Sequence, residues 1–237
     1  MDFLMELNWL AVGQIILIDI LLGGDNAIVI ALACRNLPPQ HRMKGILWGT
    51  AGAIGIRVVL IAFAITLLQL PFIKLVGGLL LLWIGLKLLT ENDDHVDVAG
   101  SDKLFAAIKT IVIADLVMSV DNVIAIASAA EQAGEHQFAL IVFGILVSIP
   151  IIVWGSTLVL KLMEKFPIII TLGAALLGYL AGGMITTDTI VVPWLSQHVS
   201  EEALKLMGFS IPGIIGAILV VVTGKWIQKS RAAKTAA

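Results

Sequence analysis

Two short acidic patterns sit in apolar surroundings. Asp19, Asp25 and Asn26 lie in one hydrophobic stretch, and Asp115, Asp121 and Asn122 in another. A single offset of 96 positions carries the first set onto the second. Carboxylate and amide oxygens are hard ligands, suited to Mn, Mg or Ca. All six residues are therefore candidate metal ligands, and Ser119 and backbone carbonyls could add further oxygens. Met118 is read as packing. An aspartate at the centre of a membrane-spanning helix costs about 2.5–3.5 kcal/mol on insertion scales, so four such residues would cost roughly 10–14 kcal/mol if additive. Intramembrane acids are by default functional. The plainer reading is a set of protonated or arginine-paired carboxylates that only hold helices together. Arg57, the one basic residue in mid-span, reads as the counter-ion to one of the four aspartates, with gating or coupling as the other reading.

The spacing favours convergence. Asp19 and Asn26 are seven residues apart, nearly on one helical face, as are Asp115 and Asn122. Asp25 and Asp121 fall about 100° to the side in a regular helix. Gly23-Gly24 predicts a place where the first helix unwinds and re-aims Asp25. If the two helices run in opposite directions, Asp19 shares a depth with Asp121, and Asp25 with Asp115. Two tiers of paired carboxylates result, about 9 Å apart along the axis. Like charges at one depth in a low dielectric repel strongly, and a divalent cation or a shared proton relieves this.

The elements that must position these groups are membrane helices. Of 237 residues, 59% are hydrophobic and 14% charged. A soluble domain is nearer half apolar and a quarter charged, so the bilayer is the expected solvent. Spans are predicted at about 9–33, 45–69, 71–89, 104–130, 138–161, 166–185 and 210–228. Pro71 and Pro167 suit the starts of the third and sixth. Twelve Lys and Arg residues fall on one side of this layout and two, Lys74 and Lys205, on the other. The positive-inside rule then puts the N-terminus outside and the C-terminus in the cytoplasm.

Other segments read more plainly. Met1–Asn8 contains Asp2 and Glu6 but no Lys or Arg, and so does not read as a signal peptide. Cys34 is read as packing. The stripes Gly45, Gly49, Ala53 and Ala174, Gly178, Gly182 read as close helix contacts. Residues 200–206 read as a short amphipathic helix on the extracytoplasmic surface, and the acidic loop Thr90–Asp102 as a solvated linker or, more sharply, a metal-sensing or gating loop. The net charge of -2 suggests no nucleic-acid partner. No resident cofactor or enzymatic activity is expected. The expected partners are the lipid bilayer, the divalent ion and protons as coupling ion, with homo-oligomerisation left open.

The same offset aligns Pro71 with Pro167, Gly77 with Gly173 and Thr90 with Thr186. The predicted organisation is an all-α polytopic membrane protein with seven transmembrane helices. Residues 1–96 form a first three-helix repeat and 97–192 a second. Residues 193–237 carry an extracytoplasmic segment, the seventh span and a tail. Three spans per repeat is an odd number, so the second copy is inverted. Transporters built this way hold substrate near the midplane, at the repeat interface.

The patterns Asp19…Gly23-Gly24-Asp25-Asn26-Ala27 and Asp115…Ser119-Val120-Asp121-Asn122-Val123-Ile124-Ala125 resemble the TerC family of integral membrane proteins, within the broader LysE-like exporter group. The resemblance covers essentially the whole chain. It implies metal-ion homeostasis, chiefly Mn2+ efflux, in a bacterial cytoplasmic (inner) membrane. It further implies that Asp25, Asn26, Asp121 and Asn122 line the ion site, with Asp19 and Asp115 beside them. Competing readings are an exporter of a small organic solute such as an amino acid, and a membrane metal sensor or scaffold. An intramembrane aspartyl protease is disfavoured, because the one tyrosine, Tyr179, is followed by Leu180 and no Tyr-Asp partner motif exists.

Overall fold

A computed structural model describes residues 9–63, 70–91, 100–130, 137–199, 204–206 and 209–235. Some side chains within the first, fourth and fifth helices, those of Asp19 and Asp121 among them, lie outside the described set. The described chain is helical: α1 Trp9–Cys34, α2 Pro39–Ala62, α3 Ile73–Thr90, α4 Gly100–Ala130, α5 Gln137–Lys165, α6 Ile168–Thr186, α7 Val191–His198 and α8 Ile211–Thr235. One antiparallel ladder of two-residue strands, β1 Lys205–Leu206 and β2 Phe209–Ser210, precedes α8.

Most helix boundaries lie within a few residues of expectation. The second helix starts earlier, at Pro39, and stops at Ala62, while the expected tail at 64–69 lies outside the described residues. A short, largely exposed helix is found at Val191–His198, ahead of the segment where one was expected. Lys205 and Leu206 pair as a strand instead, and 200–203 lie outside the described residues, as do 92–99 of the acidic loop. Gly23 and Gly24 remain helical, so the expected unwinding is not seen. Continuous helical hydrogen bonding along α1 outweighs the conformational freedom of glycine there.

Among the described residues, five helical stretches are long and apolar enough to cross a membrane: Pro39–Leu60, Ile73–Thr90, Val142–Lys165, Ile168–Thr186 and Ile211–Arg231. Gly24–Cys34 is a shorter apolar helix. Large apolar side chains such as Trp48, Trp83, Trp154 and Trp226 point outward, each more than half exposed. Apolar surface on this scale suits lipid and not water.

The chain forms two compact units, residues 1–65 with 104–160 and residues 66–103 with 161–237. In the first, Ile30, Cys34, Leu37, Ile46, Ala53, Ala107, Ile111 and Ile152 make one core. Small residues set how closely α2 meets α4. A Cβ on Gly49 would lie 2.5 Å from Ile111 Cδ1, and one on Gly52 2.9 Å from Val112 Cγ2. Arg42 closes the α1–α2 turn by donating to the carbonyls of Leu37 (3.1 Å) and Arg35 (3.2 Å).

In the second unit, α6 and α8 touch backbone to backbone. A Cβ on Gly182 would lie 2.0 Å from the Pro212 carbonyl oxygen, and one on Gly178 2.4 Å from that of Gly216. Helix α3 is held at both ends by residues distant in sequence. The buried Asp188 carboxylate accepts from the N–H groups of Lys74 (3.1 Å) and Leu75 (3.0 Å), and from Ile190 (2.9 Å). At the other end, Gln228 donates to Leu89 O (2.7 Å) and Arg231 to Thr90 O (3.2 Å). An acid at the N-terminus and a base at the C-terminus both complement the helix dipole. Phe72, just before α3, has φ 67°, the left-handed region that bulky residues rarely enter.

Asp188 makes this cap dependent on pH. Burial alone would raise its pKa, but the N–H donors of Ile190, Leu75, Phe72 and Lys74 together hold the carboxyl below the usual range. The folded-state value is therefore lower than the unfolded value of about 3.9. The stabilisation is complete above that value and disappears as pH falls from it through the lowered one. Asp188→Ala is expected to cost about 1–2 kcal/mol at neutral pH, the range of a lost helix cap. Melting curves recorded between pH 7 and 3 check this: the wild type should lose more stability in acid than the variant. Parallel curves would show that the carboxylate contributes nothing.

Candidate functional site

The first unit brings α1, α2 and α4 together around buried polar groups. On α2, Gly49, Ala53 and Arg57 recur every four residues and so share a face. The first two let α4 come close, and the third reaches its polar stripe. Arg57 is 2% exposed, Asp115 6% and Ser119 0%. Arg57 Nη2 lies 2.5 Å from Asp115 Oδ1, and Arg57 Nε donates to Ser119 Oγ at 3.1 Å. Ser119, one turn beyond Asp115, donates to its Oδ2 at 3.1 Å. Three side chains thus close a triangle in which each touches the other two. The carboxylate offsets the guanidinium charge, and the hydroxyl fixes both orientations. A buried ion pair needs this kind of added hydrogen bonding to balance its desolvation.

Asn26 of α1 differs. It is 4% exposed, and among the described residues neither Oδ1 nor Nδ2 has a hydrogen-bond partner. Leaving such a group unpaired costs roughly 1–3 kcal/mol, and orphaned buried amides are uncommon. Asn26 lines a small cavity of about 10 Å³ with Val29, Ile30, Ile111 and Asp115, room for about one water-sized species. Helices α1 and α4 therefore face each other across a space whose polar lining is an amide and a carboxylate. The neighbouring Asp25 is partly buried; its Oδ1 accepts from the Asn26 N–H at 2.8 Å, and it lies within electrostatic range of Arg57 and Asp115.

The structure thus gathers Asp25, Asn26, Arg57 and Asp115 in one region, with Ser119 completing the polar set. Asn122 lies on α4, half-buried, seven residues beyond Asp115. Asp19 and Asp121 belong to α1 and α4, but their side chains lie outside the described residues. Among the described residues no group of three or more His, Cys, Asp or Glu side chains is positioned around one metal. Asp188 went unnoticed in the sequence, although an acid two residues past a helix end, in Thr186-Thr187-Asp188-Thr189, fits the local turn that Asp prefers. Cys34 is fully buried in the core.

Comparison with known proteins places the chain among integral membrane proteins. The profile of the Integral membrane protein TerC family matches residues 4–232. The chain is 45% identical over 187 residues to the uncharacterized membrane protein YjbE of Bacillus subtilis (strain 168), covering 79% of this chain and 84% of that one. It is 26% identical over 222 residues to the UPF0053 inner membrane protein YgdQ of Escherichia coli (strain K12), covering 86% and 89%. The uncharacterized membrane protein YceF of Bacillus subtilis is 26% identical over 184 residues, covering 73% and 70%. No solved structure matches.

Proposed function

The chain belongs to the TerC family of integral membrane proteins, and from that membership we propose that it is a secondary transporter exporting a divalent metal ion, Mn2+ foremost, from the cytoplasm. The observation that carries the reading is the unpaired, buried amide of Asn26 sharing a water-sized cavity with Asp115. Oxygen donors of this type suit a hard cation. In the proposed arrangement Asp25, Asn26, Asp121 and Asn122 line the ion path, with Asp19 and Asp115 beside them, and the protein is not an enzyme. Seven spans, two inverted three-helix repeats, an outside N-terminus and a cytoplasmic C-terminus complete the proposal. The proposed location is the bacterial inner membrane, the location that the name of YgdQ gives for that relative.

A cytoplasm-negative potential opposes cation exit by about 2.3 kcal/mol per charge per 100 mV. Export therefore requires coupling. Proton antiport through the same carboxylates is the economical route, since a carboxylate that releases a metal ion can accept a proton in its place.

Inverted membrane vesicles test this directly. A pH gradient, acid inside, is expected to drive Mn2+ uptake by the wild type, and Asp25→Ala and Asp121→Ala are expected to reduce it to the level of vesicles lacking the protein. Undiminished uptake by both variants would exclude these carboxylates from the path.

A further inference from the structure

We infer that Arg57 is a tethered counter-cation that occupies Asp115 when the site holds no ion, and that the transported cation must displace it. The inference rests on the cation-site reading above and deepens it.

Arg57 does more than balance a charge at a distance. It is bonded directly to Asp115 Oδ1, and Ser119 bridges the pair through Arg57 Nε and Asp115 Oδ2. The same Asp115 lines the cavity into which the unpaired Asn26 faces. Asp115 thus borders two environments, the guanidinium and hydroxyl that hold its two oxygens and the cavity that it lines together with the Asn26 amide. A divalent ion placed between Asn26 and Asp115 would sit beside the guanidinium in a low-dielectric interior. Repulsion between like charges is strong there.

Two consequences follow. First, Arg57 weakens cation binding at rest and so favours release, which a carrier needs as much as capture. Second, the guanidinium offsets the charge of Asp115 while the two are paired, so this carboxylate need not pass uncompensated through a conformational change. Position 153, related to Arg57 by the repeat offset, is a valine. The device is thus present once and not twice, and it makes the two halves of the site inequivalent.

Mn2+ binding to the purified full-length chain in nanodiscs, measured by calorimetry, tests the idea. Arg57→Gln removes the charge but keeps hydrogen-bonding capacity. It is expected to bind Mn2+ at least tenfold more tightly than the wild type, while turnover in proteoliposomes falls at least tenfold because release and the empty return step slow. Arg57→Lys, which keeps the charge, is expected to stay within about threefold of wild-type affinity. A purely structural arginine predicts the reverse for Arg57→Gln, weaker binding together with lower stability.

A wild-type measurement covers the case in which the variant is not recovered folded. In Nε-labelled protein, the Arg57 signal, identified by its absence in Arg57→Lys, is expected to shift when Mg2+ is added as a diamagnetic competitor. A signal that stays in place while Mg2+ displaces bound Mn2+ overturns the inference. Unchanged or weaker Mn2+ affinity in folded Arg57→Gln overturns it as well, leaving the cation site standing. Absence of Mn2+ binding to the wild type and all variants overturns both.

Discussion

Asp115→Ala is expected to be the most disruptive single change in the first unit, lowering stability by about 3–5 kcal/mol, the usual effect of removing one partner of a buried ion pair. The size follows from the burial of Arg57. Its guanidinium is 2% exposed, and alanine would remove the carboxylate that lies 2.5 Å from it. Ser119 would also lose the acceptor it now holds at 3.1 Å. Removing both charges together should behave differently. Asp115→Leu with Arg57→Met replaces the pair by apolar groups, and such exchanges are often neutral or stabilising. The double variant is expected to melt close to the wild type but to transport nothing. Thermal melting of purified protein followed by tryptophan fluorescence, with transport in parallel, measures both effects. A single variant as stable as the wild type would mean that the pair contributes no stability. A double variant that still transports would remove Asp115 from the mechanism.

Gly182→Ala is expected to have the largest effect in the second unit, at least 3 kcal/mol, above the common 1–3 kcal/mol for overpacking. The added methyl would lie 2.0 Å from the Pro212 carbonyl oxygen and 2.6 Å from its carbonyl carbon. These are backbone atoms of α8, so no side chain can rotate away. The helices must separate, and the adjoining Gly178–Gly216 contact would open with them. The neighbouring glycine supplies the control. Gly183 has nothing within 4 Å of where its Cβ would be, so Gly183→Ala should stabilise by about 0.5–1 kcal/mol through helix propensity alone. The two alanines therefore have opposite signs at adjacent positions of one helix. Equal melting temperatures for both variants would show that α6 and α8 are not packed as described.

The contrast between these glycines shows what a linear reading misses. The repeated small residues of α6 read correctly as a close contact, but only coordinates identify the atoms behind it. Gly182 meets a carbonyl, and Gly183 meets open space. Likewise Arg57 read as a counter-ion for some aspartate. Its choice of Asp115, and the bridging by Ser119, depend on how near Gly49 lets α2 come to Ile111 of α4.

Composition and pattern alone determined that the chain is helical, that it crosses a membrane, and that Asp25, Asn26, Asp115 and Arg57 deserved scrutiny. Hydrophobic length and the cost of an intramembrane charge are properties of single segments, so a linear sequence displays them fully. Tertiary structure alone decided that Asn26 is left unpaired beside a cavity, that Asp188 caps α3 from more than a hundred residues away, and that Gly23-Gly24 stay helical. Each of these depends on which groups remain after neighbouring helices have satisfied the rest, and that remainder is set by packing between segments far apart in the chain.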